Sequence, residues 1–274
     1  MGANNESKPY LVGMCYNSAR DELFFADDPN GALRSIHLQE NAGDLHDVYR
    51  TTKVFSVCHM SDSDSLLVWL HGFSKSNYDS AFWLVLLSRE RKKWRETHRV
   101  QTAGQEIENT SLVHACCALN DSRVLIGHLN FTCIELFRVE SGSRIERVHL
   151  IHVSEKYRYF SAMSSSDTLV AMSFDDESVR VNRLRDDRLE ELARIRLKDP
   201  HRLVWLADRL LVAESNDTAV TELELCETRL ERSRELIAQS ELIQVYSWCA
   251  LPGGLAICNI DQSILLYSFN SETN

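Results

Sequence analysis

Five-residue segments of one pattern recur along the chain: LVGMC at 11, VFSVC at 54, LVHAC at 112, YFSAM at 159, LVWLA at 203 and VYSWC at 245. Each has two apolar residues, a variable one, another apolar one, then Cys, Met or Ala. Near-continuous apolar runs this short read as strands buried on both faces. A second run follows each, marked by Leu23, Leu66, Val124, Leu169, Leu210 and Leu255. The steps between these markers are 43, 58, 45, 41 and 45 residues, and the long step contains the polar insertion GFSKSNYDS, which predicts an extended loop. About ten residues past the marker a third run begins, at Leu33, Ile134, Val179, Val220 and Leu265. Turn residues such as DDPNG, FDDES and NIDQS separate the second and third runs, so each pair predicts a β-hairpin. A fourth, charged element follows in every copy but the last: LHDVYRTT, KKWRETHRV, RIERVHLIHV, LEELARIRL and RLERSRELI. Charge suits an outermost strand, where it blocks edge-to-edge pairing. The stretch ETRLERSRELIAQSELI is also rich in helix formers, which leaves strand and short helix both open there.

Four strands per repeat, grading from apolar to charged, describe the blade of a β-propeller. The predicted fold is therefore all-β: a single β-propeller with six blades of about four antiparallel strands, the last blade incomplete. The blades span approximately 10–52, 53–107, 108–155, 156–199, 200–242 and 243–270, with a flexible segment 1–9 and a tail 271–274. A β-sandwich or two smaller all-β domains is the competing architecture. Even spacing and the lack of a Pro/Gly/Ser-rich linker favour the ring. LFFADDPNGALRSIHL and LLVAESNDTAVTELEL resemble the repeats of six-bladed NHL or YWTD propellers. The blade length and charged outer strand equally resemble degenerate WD40 repeats, although no Trp-Asp dipeptide occurs and the single Gly-His, Gly127-His128, is out of place. Twenty-three strands leave blade six one short. The ring could close on three strands, the chain could belong to a longer protein, or a partner could supply the strand by β-augmentation.

Few residues carry the signature of chemistry. DDPNG fails as an EF-hand loop, because with Gly31 at its sixth position the first and twelfth become Ala26 and His37. As a type I turn, Asp28, Pro29, Asn30 and Gly31 fit. Cys15, Cys58, Cys116 and Cys249 share the fifth slot of the inner strand with Met163 and Ala207, a packing signature rather than a metal one. Cys116 and Cys117 point to opposite faces. The histidines are scattered: His149 and His152 lie on opposite strand faces, and His71 and His128 end second strands. No nucleophile elbow, phosphate loop or zincin helix occurs, and the chain calls for no cofactor and no metal. Some six-bladed propellers are hydrolases or lactonases with a metal in the channel. That resemblance would nominate Asp27, Asp28, Glu214 and Asn216 near the hairpin turns, where acidic residues are also expected for conformational reasons.

A net charge of -10 argues against a general nucleic-acid binder and against anionic membranes. MGANNESKPY has no apolar signal core, no stretch is apolar enough to span a bilayer, and Glu6 spoils a myristoylation reading of Gly2. Eight cysteines without a secretory signal predict reduced thiols in the cytoplasm or nucleus. The one basic concentration is SRERKKWRETHRV, with Arg89, Arg91, Lys92, Lys93, Trp94, Arg95 and Arg99. It is either an ordinary outer strand or a dock for an acidic peptide. Tyr159, Phe160, Trp205, Tyr246 and Trp248 on inner strands either pack between blades or reach a binding surface. The expected function is a non-enzymatic protein-binding scaffold or assembly subunit, contacting partners through Arg91, Lys92, Lys93, Trp94, Arg95, Trp205, Tyr246 and Trp248. A metal-dependent hydrolase is the alternative.

Overall fold

The computed structural model describes residues 11–27, 30–39, 44–51, 53–73, 80–91, 93–102, 113–119, 122–128, 133–140, 144–152, 160–166, 168–174, 176–214, 220–237, 245–259 and 263–269. They form 23 strands in six antiparallel sheets, a six-bladed β-propeller. Blade one comprises β1 (Leu11–Asn17), β2 (Glu22–Asp27), β3 (Ala32–His37) and β4 (His46–Arg50). Blade two comprises β5 (Val54–Met60), β6 (Ser65–Phe73), β7 (Ser80–Glu90) and β8 (Lys93–Gln101). Blade three comprises β9 (Val113–Ala118), β10 (Arg123–His128), β11 (Cys133–Glu140) and β12 (Arg144–His152). Blade four comprises β13 (Phe160–Ser166), β14 (Leu169–Phe174), β15 (Ser178–Arg185) and β16 (Arg188–Arg196). Blade five comprises β17 (Pro200–Leu206), β18 (Arg209–Glu214), β19 (Val220–Cys226) and β20 (Arg229–Ile237). Blade six has three strands among the described residues: β21 (Val245–Leu251), β22 (Gly254–Asn259) and β23 (Ile264–Ser268).

Strand alternation explains the core. Along each second strand one side chain faces the preceding blade and the next faces the following one. Leu23 packs with Cys249, Ala256 and Cys258 of blade six, while its neighbour Phe24 packs with Val57, Leu66 and Val68 of blade two. Leu66/Leu67, Val124/Leu125, Leu210/Leu211 and Leu255/Ala256 divide in the same way. The result is six apolar cores, one per blade junction. The junction of blades two and three is rich in aromatics: the buried Trp69 stacks on Phe82 at 5.0 Å and lies 5.2 Å from Phe55. The ring closes where Met14, Leu23 and Phe25 meet Cys249, Ala256 and Cys258, without any exchange of strands among the described residues.

Four expectations need correction. In blade four the marker is Val170, not Leu169, because Val170 faces blade three and Leu169 packs toward blade five. In blade three the shared slot belongs to Cys117, which faces blade four; Cys116 faces back toward blade two. Ala207 lies in the turn after β17 with φ +55°, so it is not an inner-strand residue. The arms of the blade-two hairpin extend through Phe73 and from Ser80, so both ends of the predicted loop are strand, and His71 sits inside β6. The ambiguous segment of blade five resolves as strand over Arg229–Ile237, because pairing with β19 satisfies its backbone.

Blades one and two approach closely at Gly13 on the inner strand. A Cβ on Gly13 would lie 2.7 Å from the Ser56 Cα and 3.0 Å from the Phe55 carbonyl oxygen, so only glycine permits this approach. At the neighbouring turns Asn17 Nδ2 donates to Asp64 Oδ1 at 3.0 Å, and Arg20 pairs with the same carboxylate. Hydrogen bonds from Arg20 hold the Asp64 carboxyl below its ordinary range. Burial pushes the adjacent His59 imidazole down.

Gly13→Ala is expected to destabilise the ring by about 1–3 kcal/mol, read from denaturant unfolding, because backbone must move. For Arg20→Met the sign follows from a depressed folded-state value. The Asp64–Arg20 contribution is present above the ordinary carboxylate value of 3.8 and lost as pH falls through the folded one. Both partners are 38% exposed, so the loss at neutral pH is at most about 1 kcal/mol. The stabilities of wild type and variant should converge as pH drops below 3.8.

Candidate functional site

Three arginines of the basic strip of blade two face carboxylates. Arg89 Nη1 reaches 3.3 Å from Oε2 of Glu22 in blade one, a buried carboxylate that also accepts a 2.7 Å hydrogen bond from Ser35 Oγ. Arg89 also lies over the Trp94 ring at 5.6 Å, and Trp94 meets Phe24 edge-on at 5.5 Å. Trp94 is thus packed against the core between blades one and two. Arg95 lies 3.8 Å from Glu90, and Arg99 pairs with Glu96 at 2.7 Å while donating to Tyr49 Oη at 3.2 Å. Burial and Glu96 push the Tyr49 hydroxyl up to about 12. Arg91, at φ +47° in the β7–β8 turn, and Lys93 are exposed; Lys92 lies outside the described residues.

Two of the predicted aromatic contacts lie between blades. Trp205 is buried between blades four and five, and Trp248 between blades five and six. Tyr159 and the side chains of Phe160 and Tyr246 lie outside the described residues. The described acidic candidates, Asp27 and Glu214, are likewise engaged by neighbouring side chains and backbone. Asp27 is fully buried, accepts from Asn30 Nδ2 at 3.0 and 2.9 Å, and pairs with Arg34 at 3.2 Å. Glu214 pairs with Arg232 at 2.9 Å and accepts from Thr221 Oγ1 and the Lys198 amide. Asp28 and Asn216 lie outside the described residues, among which no three His, Cys, Asp or Glu side chains gather as a metal site. Burial pushes the Cys249 thiol up to about 12 and the Cys15 thiol well above its ordinary value, so both stay protonated at neutral pH.

The arrangement best suited to recognition is the outer edge of blade six. In the five other blades the third strand is covered by a charged fourth strand; among the described residues β23 is the last strand of its sheet. Inward and outward backbone groups can be assigned along it. Phe269 N–H donates to the Gly253 carbonyl and Asn259 N–H to the Ser263 carbonyl, so odd-numbered residues of this stretch face β22. By antiparallel alternation the N–H and C=O groups of Ile264, Leu266 and Ser268 point outward. Leu266 is 57% exposed, the highest among the described large hydrophobics, and Leu45, just before β4 of neighbouring blade one, is 52% exposed. Gly254 keeps β22 close to β23: a Cβ there would lie 2.0 Å from the Tyr267 carbonyl oxygen. Counting strands from the sequence anticipates the open edge but names no residue on it. The usable signal was the run ILLYS, apolar where the outer strands elsewhere are charged.

Two substitutions separate the packed part of the basic strip from its solvated part. Arg89→Met leaves the buried Glu22 without its cation and is expected to cost about 3 kcal/mol. Lys93→Glu should change stability by no more than about 0.5 kcal/mol in the same denaturant titration.

No family model and no curated protein matches the sequence. Among solved structures, the chain is similar to the β-propeller domain of Myceliophteria thermophila Cps50 (Swd1), at 9% identity and TM-score 0.63, covering 96% of this chain and 98% of that one. It is similar to a glucose dehydrogenase at 8% identity and TM-score 0.69, covering 96% and 97%. It is also similar to a putative 6-phosphogluconolactonase from Bacteroides uniformis at 12% identity and TM-score 0.66, covering 94% and 81%. At these identities the likeness is one of fold, shared by propellers of different activities.

Proposed function

We propose that the protein is a non-enzymatic protein-binding platform that takes up an extended segment of a partner along β23. The observation that carries this reading is the outward row of backbone groups at Ile264, Leu266 and Ser268, beside an exposed Leu266. Strand addition draws affinity from main-chain hydrogen bonds and specificity from alternate side-chain contacts. The rigid ring presents such an edge at little ordering cost. An acidic peptide on the 88–100 strip is less well supported, because Arg89, Arg95 and Arg99 already face carboxylates. The hydrolase reading would need free carboxylates in the channel, and Asp27 and Glu214 are both committed to arginines.

Leu266→Pro tests the proposal. Its N–H points away from β22, so proline removes an outward donor without breaking the β22–β23 ladder. The variant is expected to keep its thermal unfolding transition and lose the partner that wild type captures from its native cell. Cross-linking mass spectrometry of the wild-type complex should place a partner segment beside 264–268. Undiminished capture by a folded Leu266→Pro protein, with cross-links confined to other blades, would overturn the proposal.

A further inference from the structure

Cys58 and Cys116 face each other across the junction of blades two and three. Their Sγ atoms are 3.6 Å apart, and Cys58 Sγ lies 3.5 Å from the Cys116 carbonyl oxygen. The one-residue offset in blade three creates this meeting: Cys15, Cys58 and Cys249 pack toward the following blade, whereas Cys116 packs toward the preceding one. Cys58 is buried and Cys116 half-buried, on adjacent inner strands β5 and β9. The surrounding junction, with Met60, Trp69, Val124 and Ile126, is apolar and packed.

The geometry points to a modification site here: a Cys58–Cys116 disulfide formed on exposure to hydrogen peroxide. Cys116, the less buried residue of the two, loses its proton and its sulfur attacks a peroxide oxygen. The O–O bond breaks, Cys116 becomes a sulfenic acid, and the displaced hydroxide takes the proton and leaves as water. The Cys58 sulfur then attacks the Cys116 sulfur, the S–O bond breaks, and the hydroxyl leaves as a second water with the Cys58 proton. Two thiols lose two electrons and two protons, and one peroxide is reduced to two waters. The sulfurs must close from 3.6 Å to about 2.05 Å to form the bond. Hydrogen bonding to Cys58, then burial, holds the Cys116 thiol well above its ordinary value, so oxidation is slow at neutral pH and quickens as pH rises. The bond would join the inner strands of two blades and close a long loop in the unfolded chain, which stabilises the folded ring.

The test uses the reduced full chain, treated with hydrogen peroxide at alkaline pH, alkylated with iodoacetamide and digested without reduction. The expected result is a linked pair of peptides carrying Cys58 and Cys116, an intact mass lower by two hydrogens, and a higher thermal midpoint than untreated protein. Cys116→Ala should abolish both the link and the gain in midpoint. Recovery of both cysteines as alkylated or sulfinic species, or a Cys58 link to Cys15 instead, would overturn the proposal; wild-type digestion decides this whether or not the variant folds.

Discussion

The structure depends on apolar side chains meeting between neighbouring blades. A four-stranded sheet has two faces, and each blade buries both by inserting itself between two others. Six separate cores result, and none is complete within one blade. This is why the second strands are continuously apolar, as in Leu23–Ala26 and Leu66–Leu70, where a half-buried strand would alternate. It is also why blades six and one pack together as the other blades do: Phe25 and Leu23 need an apolar wall, and Ala256 and Cys258 provide it.

Buried charge is placed where it serves the same geometry. Glu135 is fully buried and lies 3.5 Å from Arg147 of the adjacent strand. Glu222 is shared by Arg209 at 3.3 Å and Arg234 at 3.4 Å. Arg180, almost fully buried, pairs with Asp176 at 2.7 Å, donates to Ser178 Oγ at 3.0 Å, and stacks over Phe174 at 4.4 Å. Ionised groups this far inside a protein are tolerated only when paired. Most of these pairs tie strands within one blade; Arg89–Glu22 instead ties blade two to blade one. That difference turns part of an apparently basic surface strip into a fastener between blades.

Much of the fold was legible in the sequence because its repeat is written in apolar spacing, and apolar spacing is what the blade junctions select. The hairpins, the charged outer strands and the three-stranded sixth blade of the described residues could all be read that way. The single-residue errors have one physical origin. Where a strand is apolar at consecutive positions, as at Leu169-Val170 or Cys116-Cys117, the sequence does not say which residue faces which neighbour. The packing of each strand against its neighbouring blades decides it, and in blades three and four the facing residue is the next one along. The candidate site was less legible. Trp205 and Trp248 look the same in sequence whether they fill a junction or line a surface, and the structure buries both.

The sequence by itself determined the number of blades, the order of strands and the gradient from buried to charged, because each follows from periodicity and solvation along one strand. Only the tertiary structure decided which side chains meet across blades. It turned Arg89 onto Glu22 and set Cys58 against Cys116 rather than Cys117. Those outcomes rest on contacts between residues tens of positions apart, which depend on how six twisted sheets pack around an axis.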